Sequence, residues 1–251
     1  MNSTPLKQLI TTALMLIVSL NVLAAEWKNK DWPFINPSEA STKQDNYLVE
    51  RKEFTMSYNN DKGTPNWTAW VLEKSDIGKA QRVEFYADTD LPRSFKRVVP
   101  NDYSGTGFDR GHMCNHQDRS SSLEASHATF TMANMVPQSP DLNRKAWEKL
   151  EAYSRRMVQK GVHAYVICGP AGVGGTGSNG EAKTIGKGRS ITVPSTCWKI
   201  VVFADANGRA DMSKTVAVIM PNTMGVGEDW TRYKTTGAEV EKLTGYKFFK
   251  R

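Results

Sequence analysis

Apolar and polar residues alternate in "WTAWVLEK" (67–74) and "RVEFYAD" (82–88), the period-two pattern of half-buried strands. The stretch before them, 26–65, is polar and turn-rich ("DWPFINPSE", "YNNDKGTPN"), and is expected to wrap the surface with one strand near Phe54–Tyr58. Two prolines and two glycines between Asp90 and Gly107 mark a loop. Short strands are expected after it at Phe108–Met113 and at "ATFTMANMV", closing near Pro137. The clearest helix is "SPDLNRKAWEKLEAYSRRMVQKG". Ser139 can cap it, Pro140 suits the first turn, Asp141 opposes the helix dipole, and Gly161 ends it. Trp147, Leu150, Ser154 and Met157 follow the helical spacing. "VHAYVICGP", "CWKIVVFAD" and "KTVAVIMPN" read as buried strands, and "EDWTRYKTTGAEVEKLTGY" as a last helix. Strands in runs, with two long helices between and after them, predict an α+β fold with helices on both faces of a mainly antiparallel sheet. There is no internal repeat.

The N-terminus changes where this chain is expected to act. Lys7 precedes an uncharged apolar run from Leu9 to Leu20, and Val22 and Ala24 stand as the −3 and −1 pair of a cleavage site. This is the layout of a secretory signal peptide, cleaved after Ala24 or, as second choice, Ala25. The run is short for a spanning helix and is broken by Ser19 and Asn21, so a periplasmic or secreted protein without stable membrane association is expected. Residues 25–251 then form one domain of about 226 residues. Removing the leader takes away one lysine and no acid, leaving 32 basic residues against 26 acidic ones. That excess favours polyanionic partners such as nucleic acid. Cys114, Cys168 and Cys197 are an odd number for an oxidising compartment. Cys168 and Cys197 lie in strand-like runs that could pair side by side, so one bridge between them with Cys114 free is expected.

Candidate chemistry is concentrated in "GTGFDRGHMCNHQDRS" (105–120). His112, Cys114 and His116 alternate like three zinc ligands on a strand, but a closed site needs a fourth, and His127 and His163 are isolated. The glycine-rich "AGVGGTGSNGEAKTIGKG" lacks the Lys-Ser/Thr ending of a phosphate-binding loop and is expected to be a surface loop. Trp67, Trp70 and Trp147 fall at core positions of strands and helix, so packing is expected of them rather than base stacking. Asn143 and Glu151, eight residues apart on the long helix, would project within roughly 80° of each other, two turns apart. An amide oxygen and a carboxylate could then share a site with a histidine on a facing strand.

Four segments in order carry a family resemblance: "GKAQR" (78–82), "DRGH" (109–112), N-x-x-P-Q (134–138) and N-x-x-x-W-x-x-L-E (143–151). Together they resemble the DNA/RNA non-specific endonucleases with a ββα-metal site, the group of the Serratia-type nuclease and endonuclease G. The resemblance covers about residues 66–220. It implies a ββα-metal nuclease fold and hydrolysis of DNA and RNA phosphodiesters with little sequence preference, giving 5′-phosphate products. In that reading His112 is the general base, Arg82 binds phosphate, and Arg110 contacts phosphate or structures its loop. Asn134 supports the site, Asn143 is the direct ligand of Mg²⁺, with Mn²⁺ as a substitute, and Glu151 holds the metal through water. Asp109 is read as an organiser of the strand turn. The alternative is a non-catalytic basic nucleic-acid-binding or uptake protein of the cell envelope with the same fold.

Overall fold

The longest apolar runs of the chain become the middle of one antiparallel sheet. The computed structural model describes residues 32–187, 191–205 and 207–249; the expected leader and its cleavage site lie outside the described residues. Four strands come first: β1 (Thr42–Lys43), β2 (Asn46–Glu50), β3 (Thr55–Asn59) and β4 (Thr64–Leu72). A separate ribbon follows, made of β5 (Asp109–His112) and β6 (Met135–Gln138). The chain returns with β7 (His163–Ala171), then makes two small ribbons, β8 (Gly175–Gly177) with β9 (Gly180–Ala182) and β10 (Thr184–Ile185) with β11 (Ile191–Thr192). β12 (Thr196–Ala204), β13 (Ala210–Pro221) and β14 (Lys234–Thr235) complete the eight-stranded sheet, ordered β1-β2-β3-β4-β7-β12-β13-β14.

Both faces of the central strands are buried, which is why they read as nearly continuous apolar runs. On one face Trp70, Leu72, Val166, Val201 and Val218 pack against Leu142, Trp147, Leu150 and Val158 of the long helix. On the other, Trp67, Ile167, Trp198 and Ile200 meet Trp32, Phe34, Phe248 and Val240, the last from α3 (Gly237–Thr244). Helices therefore cover both faces, as the α+β pattern predicts, and Trp67, Trp70 and Trp147 are core residues. Among the described residues no helix is long and apolar enough to cross a membrane.

Several local expectations are corrected. Residues 82–88 are not a sheet strand; among the described residues their one strand-type pairing is the Tyr86–Thr131 bridge, while Phe85 packs on His112 and Phe130 and Tyr86 stacks on His127. "ATFTMANMV" is not one strand. Helix α1 (Leu123–Ala128), whose N-terminus is capped by Ser122 Oγ accepting from Ala125 N at 3.0 Å, enters it. A 3₁₀ turn, Met132–Asn134, follows before β6 begins. The C-terminal segment splits into a 3₁₀ turn (Trp230–Tyr233), β14 and α3, since Thr236 starts a new helix by accepting from Glu239 N at 3.2 Å. The glycine-rich segment folds largely into the β8–β9 and β10–β11 ribbons instead of an irregular loop.

The long helix opens as a π-helix, Leu142–Trp147, and continues as α2 (Glu148–Gln159), with Gly161 at φ +97° closing it. Ser139 contributes its carbonyl to Asn143 N at 2.9 Å while its hydroxyl turns to Met224 Sδ, so it does not cap with its side chain. The π turn also means that the 100° step does not run unbroken from Asn143 to Glu151.

The expected Cys168–Cys197 bridge is not formed: all three cysteines are free and buried. Register explains it. Cys168 lies opposite Lys199 and Cys197 opposite Pro170, so the two thiols are diagonal neighbours, a separation of about 7–8 Å between Cα atoms, beyond disulfide reach.

Candidate active site

β5 presents the "DRGH" residues in alternation, so Asp109 and Gly111 share one face while Arg110 and His112 share the other. Opposite them in β6 stand Gln138, Pro137, Val136 and Met135 in turn. The glycine is required by close approach: a Cβ on Gly111 would fall 2.0 Å from Gln138 Oε1, and Gln138 is fully buried.

His112 is half-buried between two rings, Phe85 at 5.5 Å and Phe130 at 4.9 Å edge-on. Its Nε2 is buried without a hydrogen-bond partner. Burial first, then the positive charge of Arg82 and the neighbouring His116, push its pKa down to about 3. Each ring also carries an arginine. Arg82, exposed, stacks its guanidinium over Phe130 at 5.0 Å, and Arg110 lies over Phe85 at 5.2 Å. Arg110 is fixed further by donating from Nε and Nη2 to the Pro100 carbonyl at 3.2 and 2.8 Å. A neutral imidazole thus sits between two cations that share its aromatic supports. The irregular 77–91 segment that delivers Arg82 and Phe85 is pinned by buried Asp88, which pairs with Arg51 and accepts from Thr131 Oγ1 at 2.7 Å and from the Leu91 amide at 3.2 Å.

Asn143 reaches the ribbon from the π turn. Its Nδ2 donates to Asp109 Oδ2 at 2.9 Å, and Asp109 is in turn held by Arg144 through both carboxylate oxygens at 2.6 and 2.8 Å. The amide nitrogen being taken, the Asn143 Oδ1 is the free end of the group. Arg82, Phe85, Tyr103, Asp109, Arg110 and Asn143 line a cleft of about 530 Å³. A larger cavity, about 860 Å³, is lined elsewhere by residues such as Phe54, Arg119 and His163 and holds none of the predicted site residues.

Three predicted residues are absent from the cleft lining: His112, whose ring lies against the lining residue Phe85, Asn134 and Glu151. Asn134 is fully buried, accepts from Cys114 N at 3.0 Å, and donates to the carbonyls of Cys114 and Thr129 at 2.8 and 2.9 Å. It clamps the backbone just past His112 and does not face the cleft. Glu151 is paired with Lys199, Nζ to Oε1 at 3.0 Å, and is absent from the cleft lining. Its helical neighbour Arg155 bonds instead to Asp118 and Asn115.

The zinc-like trio does not converge. His116 Nδ1 lies 2.8 Å from Ser126 Oγ, and burial holds the Cys114 thiol well above its ordinary pKa, in the unreactive protonated form. Among the described residues no three His, Cys, Asp or Glu side chains come together as a metal site. Sequence reading missed Phe85 and Phe130, which look like ordinary core residues, and Lys199. A lone cation inside "CWKIVVF" was the one available signal for the lysine.

Residues 35–251 match the family model described as DNA/RNA non-specific endonuclease. The chain is similar to a nuclease of Nostoc sp., 41% identical over 222 residues spanning 85% of this chain and 78% of the relative. It is also similar to the human mitochondrial nuclease EXOG, 29% identical over 77% of this chain and 54% of that protein. Among solved structures, a chain of the EndoG/EndoGI complex superposes with a TM-score of 0.69 at 26% identity, covering 80% of this chain and 85% of that one.

Proposed function

Because the chain belongs to the DNA/RNA non-specific endonuclease family, and so is a nuclease with the ββα-metal fold, we propose that it is a Mg²⁺-dependent endonuclease that cuts DNA and RNA with little sequence preference. The observation that carries this reading is the buried, partnerless His112 Nε2 held between Phe85 and Phe130, with Arg82, Arg110 and Asn143 lining the adjoining cleft.

His112 accepts the proton of the attacking water, a role worth about 10²–10⁴-fold in rate. Its low pKa, set mainly by burial, keeps the ring in the free-base form. Arg82 and Arg110 neutralise the phosphoryl oxygens without reorganising, since their guanidinium planes already rest on the rings. The residues fit a hard divalent cation: Asn143 offers an amide oxygen whose partner nitrogen is anchored on Asp109, and Glu151 offers a second carboxylate oxygen to the cation's waters. When bound, the cation stabilises charge on the phosphate and on the departing 3′ oxygen, leaving a 5′-phosphate on the other fragment. Asn134 acts as a positioning residue for the backbone beside His112. Residues 1–24 serve as an export signal, cleaved after Ala24 or Ala25, so the enzyme works in the periplasm or outside the cell.

The test is incubation of residues 25–251 with plasmid DNA and with RNA, in Mg²⁺ or in excess EDTA, beside His112→Ala and Asn143→Ala. Cutting in Mg²⁺ that EDTA and either substitution abolish is the expected result. Intact substrate with the unaltered protein in Mg²⁺ overturns the proposal, and binding without cutting identifies a nucleic-acid-binding protein instead.

A further inference from the structure

Lys199 stands in the middle of β12, between β7 and β13, and only 1% of its side chain is exposed. An ammonium there has given up its water and persists only with charged and polar partners. It faces the side of the sheet covered by the long helix, with Nζ 4.1 Å from the centre of the Trp147 ring and 5.8 Å from that of Trp70. Its hydrogen bond goes to Glu151 Oε1 at 3.0 Å. Beside this pair Asp118 accepts from Arg155 Nη1 at 3.0 Å and from Trp70 Nε1 at 3.1 Å, and both Asp118 and Arg155 act electrostatically on Glu151. The four charges sum to zero, so the cluster is a neutral inclusion in an otherwise apolar core. Buried ion clusters of this kind are weak contributors to stability compared with apolar packing of equal volume. Stability alone therefore gives little reason for a lysine at this position.

What the lysine does to Glu151 is specific. It takes one carboxylate oxygen and leaves the other, and Glu151 keeps 11% of its side chain exposed where Lys199 keeps almost none. Trp147, over which the ammonium sits, lies four residues after Asn143 and four before Glu151, so a single interior cation braces the helix between the two. We propose that Lys199 is a positioning residue of the active centre, holding Glu151 Oε1 from within the sheet so that the second oxygen is presented to the water shell of a divalent cation at Asn143. This rests on the role proposed above for Glu151. Lys199 itself, enclosed by the sheet and helix, touches neither substrate nor cation.

Mn²⁺ binding to the metal-free protein, followed by the electron paramagnetic resonance signal of free Mn²⁺, reads this role without catalysis. The proteins compared are the unaltered chain, Glu151→Gln, Lys199→Met, Lys199→Gln and the double variant Lys199→Met/Glu151→Gln, each checked for folding by circular dichroism in EDTA. Loss of an outer-sphere partner costs about 10–100-fold in metal affinity. That weakening is expected for Glu151→Gln and for Lys199→Met, a smaller one for Lys199→Gln, and no further loss in the double variant. Folded Lys199→Met with unaltered Mn²⁺ affinity, while Glu151→Gln is weakened, overturns the inference and leaves the role of Glu151 standing. Unaltered affinity in Glu151→Gln overturns that role and this inference with it. Should Lys199→Met fail to fold, Lys199→Gln decides, and wild-type affinity in that variant overturns the proposal.

Discussion

Replacing Gly111 with alanine sets two effects of opposite sign against each other. The backbone there is ordinary strand, so by conformational entropy alone alanine stabilises by roughly 0.5–1 kcal/mol. The new Cβ, however, meets Gln138 Oε1 at 2.0 Å, Cδ at 2.4 Å and Cγ at 2.6 Å, where real Cβ contacts stay above 3.0 Å. Gln138 must retreat by at least about 1 Å, and it has no route to solvent because it is fully buried. Overpacking of this kind costs about 1–3 kcal/mol, so after the entropy gain the net loss centres on about 1.3 kcal/mol, seen as a melting temperature roughly 3–5 °C lower. The activity loss is larger, because His112 follows Gly111 in the same strand and a displacement of about 1 Å at a reacting group costs about 10²-fold. Thermal melts and kcat/KM on plasmid DNA measure the two. Adding Gln138→Ala removes all three clashing atoms and is expected to recover much of the loss. A Gly111→Ala protein that melts at or above the parent temperature and cuts within about threefold of it refutes the reasoning.

Other consequences follow from the same contacts. Asn134→Asp still accepts from Cys114 N but sets a carboxylate against the carbonyls of Cys114 and Thr129. A loss of about 1–3 kcal/mol per orphaned group is expected as a lower urea midpoint with unchanged slope, and an unchanged midpoint removes the clamp role. Phe130→Leu keeps apolar volume but removes the ring face under Arg82. Loss of a cation–π contact worth about 0.5–2 kcal/mol lowers kcat/KM roughly 2–30-fold, and a folded variant at the parent rate contradicts this. For pH, His112 has a folded pKa of about 3, below the ordinary histidine value of 6.5, so its neutral form is the one the fold favours. Its contribution to stability is complete above pH 6.5 and is lost as the pH falls toward 3. The acid limb of kcat/KM, which reports the free enzyme, is accordingly expected below pH 6.5; a midpoint at or above that value for the His112-dependent limb is the adverse result.

Much of this molecule was legible in one dimension. The runs that became β4, β7, β12 and the second half of β13 were readable because central strands buried on both sides demand apolar residues at nearly every position. The long helix announced itself by spacing, and Gly161 by the left-handed turn only glycine takes easily. Less legible were segments whose alternation serves something other than a ladder. Residues 82–88 alternate as a strand does, yet they spend Phe85 and Tyr86 on the rings around His112 and His127. The candidate residues His112, Arg82, Arg110 and Asn143 could be named from their motifs, because the motifs encode residue type and order.

Environment could not be named that way. Whether His112 titrates near its ordinary value or far below it depends on Phe85, Phe130 and Arg82, which are brought together by an irregular loop pinned on Asp88. Whether Glu151 looks outward or is gripped from inside depends on Lys199, forty-eight residues later. Cys168 and Cys197 lie in adjacent strands, as the pattern suggested, but a two-residue offset in register sets Lys199 rather than Cys197 opposite Cys168. Sequence periodicity determines which face of an element is buried, since that is a property of neighbouring residues. Pairing across strands, the charge next to a side chain and the water left around it belong to residues far apart in the chain. Those only the tertiary packing decides.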